Sequence, residues 1–200
     1  DGFNNYFLKK YFPLLKTFML RAYNHWIDNE KVTDNFRISV IKLIPKKENL
    51  ENISSWRPIA LLSTSYKCFS GIFSNRLKRV ADLTNVIAQK AYSSQRNISE
   101  LNLDLKNFTT SASKEKIPMM VINIDFQKAF DSVSHGFSEK FFSWLGFPPY
   151  CIKLLKSCIL GKSAYISNID GNTELFDIKR GFPQGDRPSG IAFGIVVNLA

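Results

Sequence analysis

Pro118-Met119-Met120-Val121-Ile122-Asn123-Ile124-Asp125 is a nearly continuous apolar run ending on a carboxylate, and Phe126-Gln127-Lys128-Ala129-Phe130-Asp131 follows at once. The length and β-branching of the run predict a buried strand rather than a helix. A carboxylate at the end of such a strand must meet a cation, a metal ion or several N–H groups, or take up a proton. On these residues alone a structural, hydrogen-bonded aspartate is the commoner outcome, so Asp125 is a candidate and no more.

Downstream, Ser134 is placed to cap a helix carrying Phe137, Phe141, Trp144 and Leu145, which Gly146 and Pro148-Pro149 stop. A second helix carries Ile152, Leu155 and Ile159, with Gly161 at its end. Residues 164–169 and 174–179 flank Asp170-Gly171-Asn172, a hairpin signal. The glycine- and proline-rich stretch 181–190 leads into an apolar helix near Pro188. Upstream, residues 38–45 (ISVIKLIP) alternate and are β-branched, which predicts a strand; a polar loop over 46–55 and a second short strand over 57–62 follow. Ser63 is the cap of a long helix marked by Tyr66, Phe69, Phe73, Leu77 and Val80, and a further helix covers 99–111. In the first segment Phe7, Tyr11, Leu14, Leu15 and Phe18 recur at helical spacing, with Pro13 expected to break or bend the helix. Strands and helices intersperse without strict alternation, so the class is α+β.

With 44% apolar residues and 17 Phe, the 200-residue chain can build one sizeable core, or two small lobes sharing one, and is not a disordered composition. Its 27 Lys and Arg against 17 Asp and Glu give a net charge of +10, which suits a polyanionic partner, although a basic soluble protein has the same balance. Cys68, Cys151 and Cys158 cannot all pair and form no C-x-x-C, which predicts a reduced, intracellular protein in cytoplasm or nucleus rather than a secreted one. No apolar run approaches transmembrane length, so no membrane partner is expected. The chain begins with Asp1 rather than Met and ends inside the apolar run 191–200, and both ends read as cuts in a longer polypeptide.

Asp125-Phe126-Gln127-Lys128-Ala129-Phe130-Asp131 followed by Ser132-Val133 closely resembles the first catalytic motif of reverse transcriptases from non-LTR (LINE-like) retrotransposons. The resemblance extends in order on both sides. Ile44-Pro45-Lys46-Lys47 and Trp56-Arg57-Pro58-Ile59-Ala60-Leu61-Leu62-Ser63 are similar to that family's fingers motifs, as are Tyr66-Lys67 and Asn75-Arg76-Leu77-Lys78. Gln89, Tyr92 and Arg96 resemble a degraded Q-x-G-F-x-x-x-R, Ile178 to Asp186 (IKRGFPQGD) resembles R-G-x-x-Q-G-D, and Asp1-Gly2-Phe3 looks like the D-G before the family's first helix.

The resemblance implies a right-hand polymerase fold: fingers over 1–117 and an incomplete palm over 118–200, an antiparallel sheet with packed helices. It implies RNA-directed DNA synthesis, with an RNA template, a DNA primer and dNTPs as partners and two Mg²⁺ ions as cofactors in the complete enzyme. Mg²⁺ takes hard oxygen ligands and stabilises the attacking and leaving oxygens of phosphoryl transfer. By resemblance Asp125 is the catalytic carboxylate and a metal ligand, with the backbone carbonyl of Phe126 as a further oxygen. Phe130 falls where the family places a ring under the nucleotide sugar, able to reject a 2′ hydroxyl by collision. Arg57 offers a guanidinium fork to triphosphate oxygens, and Lys46 or Lys47 adds a point charge, although lysines of a solvated loop would look the same. Gln184 and Gly185 would pack against the nascent base pair, Gly185 permitting a close backbone approach. Asp131 reads as structural, paired with Lys128.

The chain also departs from the family. Arg187 and Gly190 stand where prolines are expected in Q-G-D-P-L-S-P, Pro188 replaces an apolar residue, and residues 92–96 lack the glycines of their counterpart. No Asp-Asp pair, the family's source of two further carboxylates, occurs in the sequence. Three readings stay open: part of a reverse transcriptase whose activity belongs to a longer polypeptide; an inactive remnant or domesticated nucleic-acid-binding module; or, within the same enzyme class, an intron-encoded reverse transcriptase and maturase. Against the last, the W-R-P-I and D-F-x-K-A-F-D wording favours the retrotransposon side.

Overall fold

The computed structural model describes residues 4–46, 50–84, 89–93 and 96–198. Asp1-Gly2-Phe3, Lys47, Gln95 and the last two residues lie outside the described residues. Helix α1 (Asn5–Asp28) starts where the Asn4 side chain accepts the Phe7 N–H at 2.9 Å. It runs through Pro13 rather than ending there, since an exposed proline removes one helix hydrogen bond while the anchor lies elsewhere, in buried Tyr23 and Trp26. The stripe Tyr11, Leu14 and Phe18 is exposed, so the helical reading holds for the backbone but not for the buried face.

The short helix α2 (Asp34–Arg37) leads into strand β1 (Ile38–Pro45), which pairs antiparallel with β2 (Trp56–Leu61). Ser63 Oγ accepts from Tyr66 N–H at 3.2 Å and starts α3 (Thr64–Thr84). Helix α4 (Ile98–Glu115) carries a reciprocal capping box between Asn97 and Glu100, and none of its residues is buried. After the single turn α5 (Ala129–Ser132), α6 (His135–Trp144) is capped by Ser134 as the sequence predicts. Helix α7 (Pro149–Leu155) widens into a π-turn over Lys156–Leu160, then come β3 (Ser163–Asn168), β4 (Gly171–Asn172) and β5 (Phe176–Asp177). Helix α8 (Arg187–Val197), begun by Asp186 with Pro188 in its first turn, packs along α3.

Two expectations are corrected. The sheet has the order β2-β1-β3-β4, with β5 also on β3, and it is mixed rather than antiparallel because β1 and β3 run parallel. A parallel pair needs a long crossover, and more than a hundred residues, mostly helical, separate β1 from β3. The larger correction concerns residues 118–125. They form no strand and are exposed, with Met120 and Ile124 each 80% accessible. A strand exists only where another strand takes its N–H and C=O groups, and none among the described residues pairs with this run. The core gathers instead around Tyr23, Trp26, Tyr66, Phe69, Leu155 and Ile195.

Candidate functional site

Three segments far apart in sequence meet at Gln184. Its carbonyl accepts the N–H of Ala60 in β2 at 2.8 Å, and its Nε2 donates to Asp131 Oδ1 at 3.2 Å. Beside it, Phe182 N–H donates to Phe130 O at 2.9 Å and Gly181 N–H to Val133 O at 2.8 Å. Arg180 Nε donates to Ser132 O at 2.8 Å, and His135 Nε2 lies 2.8 Å from Gly181 O. Residues 180–184 are thus laid along 130–135 and then against the edge of the β1–β2 hairpin.

Two glycines permit this approach. Gly181 has φ +86°, and a Cβ there would fall 2.8 Å from Asp131 Cα. Gly185 has φ +108°, and its Cβ would fall 2.8 Å from Ala60 O and 3.6 Å from Ile59 Cγ2. Strand alternation puts Arg57 on the same face of β2 as Ile59, the face that meets Gly185. On the opposite face, Pro58, Ala60, Asp131 and Gln184 help to line a cleft of about 300 Å³. Arg57 and Lys46 are exposed at the loop end of the hairpin, where Lys46 N–H donates to Ser55 O at 2.7 Å.

Phe130 is half-buried. Its ring stacks on Phe193 of α8 with centroids 4.3 Å apart and receives Tyr92 edge-on at 6.4 Å. Gln89 and Arg96, read as ends of one degraded motif, touch: Arg96 Nη1 donates to Gln89 O at 3.1 Å. Asp131 bonds Gln184, and no ion pair joins it to Lys128 among the described residues. Asp125 and Phe126 lie on the exposed run, and Phe126, 65% accessible, lines a cleft of about 290 Å³ with Ser132, Val133 and Phe193. Asp125 is one hard-oxygen donor of the right kind, but no group of three His, Cys, Asp or Glu side chains that could hold a metal occurs among the described residues. One carboxylate is not the donor set of a two-ion site.

Behind the Gln184–Gly185 loop lies a buried polar network whose extent the sequence does not announce. Tyr66 Oη is 2.7 Å from Asp186 Oδ2 and 3.1 Å from Cys158 O, so its proton has two acceptors, the carboxylate being closer. Lys162 Nζ lies 3.6 Å from the same Oδ2 and 3.8 Å from the centre of the Tyr66 ring, with both ionic side chains fully buried. Burial pushes the Lys162 ammonium below its usual range against the pull of Asp186, and burial also raises the Tyr66 hydroxyl well above its own. The Cys158 thiol is pushed up to about 12, again by burial. The network fixes Asp186, the residue after Gly185 and the first of the turn that begins α8. A lysine following Gly161 carries no local sign of burial, and Lys162 escapes sequence reasoning for that reason.

The α+β framework thus pins a Q-G loop between a two-stranded hairpin and the turn of D-F-Q-K-A-F-D. The family model described as Reverse transcriptase (RNA-dependent DNA polymerase) matches residues 44–200, and the chain belongs to that family. It is 30% identical over 157 residues to the retrovirus-related Pol polyprotein from type-1 retrotransposable element R2 of Popillia japonica, covering 78% of this chain and 22% of the relative. It is 29% identical over 163 residues to the transposon TX1 uncharacterized 149 kDa protein of Xenopus laevis, covering 80% and 12%. Against the RNA-directed DNA polymerase from mobile element jockey of Drosophila melanogaster, it is 28% identical over 151 residues, covering 74% and 16%. The chain therefore spans less than a quarter of the length of these curated relatives. Reverse transcriptases generally use divalent metal ions, and no helix among the described residues is long and apolar enough to cross a membrane.

Proposed function

We propose that this chain supplies the nucleotide-facing fingers, residues 1–117, and part of the palm, residues 118–200, of a non-LTR retrotransposon reverse transcriptase. In that reading the complete polypeptide extends a DNA primer with dNTPs on an RNA template. The observation that carries it is the double attachment of Gln184, by its carbonyl to Ala60 and by its side chain to Asp131, which joins the three family motifs. Arg57 and Lys46 grip phosphate oxygens from the hairpin, and Gly185 lets the backbone come close to the base pair. The Phe130 ring sits beneath the sugar. Asp125, with the Phe126 carbonyl, supplies one part of a divalent-ion site that needs further carboxylates. Mg²⁺ suits such hard oxygens. The three free cysteines favour a reduced, intracellular setting, in cytoplasm or nucleus.

Primer extension on an RNA template tests the reading. The full-length polypeptide should extend a primer and lose that ability on Asp125→Asn, whereas this chain alone should not extend one. A second reading, a binding module without catalysis, draws on the exposed Asp125, the lack of a three-residue metal-binding group among the described residues, and the net charge of +10. It predicts primer–template affinity that falls steeply with salt, together with a full-length polypeptide that cannot extend.

A further inference from the structure

Gly190 departs from the family, standing where a proline is expected, and the fold gives that departure a partner. A Cβ on Gly190 would fall 2.5 Å from Tyr92 Cε1 and 2.9 Å from its Cδ1, and a Cβ on Gly194 would fall 3.3 Å from Cδ2. The Tyr92 ring therefore lies flush on the one face of α8 that has no side chains, one helical turn apart at 190 and 194. Tyr92 itself has φ +59°, a left-handed conformation uncommon outside glycine, so the loop accepts a strained backbone to deliver the ring there. Between Gly190 and Gly194 in sequence stands Phe193, which stacks on Phe130, and Tyr92 meets Phe130 edge-on. The four residues form one assembly: two glycines seat Tyr92, and Tyr92 with Phe193 bounds the Phe130 ring from two sides. Any bulk at 190 displaces Tyr92, and any displacement of Tyr92 frees an edge of Phe130.

We propose that Tyr92, seated on Gly190 and Gly194, is a positioning residue that fixes the Phe130 ring and so sets how strictly the nucleotide sugar is selected. This rests on the reading of Phe130 as the ring beneath the sugar. Tyr92 touches no reacting atom in this account; it acts through Phe130. The ring rather than the hydroxyl does the work, because the nearest approaches to Gly190 and Gly194 are made by ring carbons and Cβ, and the contact with Phe130 is ring to ring. Exposure of Tyr92 to solvent, at 43%, leaves its outer edge open without loosening the seated one.

The test measures the preference for a dNTP over the matching rNTP in primer extension by the full-length polypeptide carrying this chain. Phe130→Ala should give the largest loss of preference. Tyr92→Ala and Gly190→Ala should each lower it about threefold to tenfold, the worth of one aromatic contact. Tyr92→Phe should keep the wild-type ratio. Gly190→Ala is the more telling change, because alanine favours the helix it enters and lost selectivity cannot then be put down to a weakened α8. If Phe130→Ala loses preference while Tyr92→Ala and Gly190→Ala do not, the positioning role is overturned and the reading of Phe130 survives. If Phe130→Ala has no effect, the reading of Phe130 fails and the proposal with it. In this chain alone, a fluorine-labelled phenylalanine at 130 should show a shifted ¹⁹F resonance in Gly190→Ala and not in Tyr92→Phe; an unshifted resonance in Gly190→Ala overturns the proposal without reference to activity.

Discussion

Gln184 Nε2 donates to Asp131 Oδ1 across 3.2 Å, so the side chain expected to face the nascent base pair is held by the last residue of D-F-Q-K-A-F-D. The bond is half-buried and charge-assisted, which puts it above an ordinary surface contact. Asp131→Ala should cost about 1–2 kcal/mol in urea unfolding, and a double-mutant cycle with Gln184→Ala should return a coupling of about 1 kcal/mol. Additive single effects would show that the two side chains do not act as a pair.

Lys162 and Asp186 make a buried ion pair in which removal of one partner leaves the other charged and desolvated. Lys162→Met should destabilise the chain by about 3–5 kcal/mol. Replacing both, as Lys162→Met with Asp186→Leu, should be less damaging than the single change, since no lone charge remains. Equilibrium denaturation of the two variants compares them directly. A double variant no more stable than Lys162→Met would count against the pair as the source of the cost.

Cys158 sets part of the alkaline limit. Burial raises its pKa from 9.0 to about 12, so in that window the unfolded thiol has lost its proton while the folded one keeps it. The unfolded chain then binds fewer protons, and stability that is fully present below pH 9 is lost as pH rises. Between about pH 8 and pH 10 this group should remove about 1 kcal/mol from the wild type and nothing from Cys158→Ala. Urea midpoints at the two pH values give the difference, and equal pH slopes in the two proteins would contradict it.

Gly181 cannot carry a side chain where it lies, with φ +86° and the backbone of Asp131 2.8 Å from the missing Cβ. Gly181→Ala should cost about 1–3 kcal/mol and loosen the hydrogen bonds from residues 181 and 182 to the turn opposite. Hydrogen exchange at the Phe182 amide would report it. Unchanged protection there would mean that the approach is not fixed by the glycine.

Where local chemistry decides the conformation, the sequence is legible. Ser63 and Ser134 cap the helices they announce, and the alternation of residues 38–45 becomes β1. The three motifs whose order carries the family resemblance do meet, through Gln184. Where partners decide, the sequence is silent. Residues 118–125 have the apolar run of a buried strand, yet pairing and burial belong to neighbours, and none of the described strands pairs with this run. Lys162 reads as any lysine until the fold encloses it with Asp186 and Tyr66. The departures from the family become intelligible only in three dimensions. Gly190 makes room for Tyr92, while Arg187 reaches Gly71 in α3, where its Nη1 lies 3.0 Å from a would-be Cβ.

Asp125, in the full-length polypeptide that carries this chain, is the residue on which catalysis should depend most directly. Extension of a DNA primer on an RNA template, with dNTPs and Mg²⁺, should be readily measured for the wild type and lost in Asp125→Asn. Undiminished extension by Asp125→Asn, or no extension by the wild type, would contradict it.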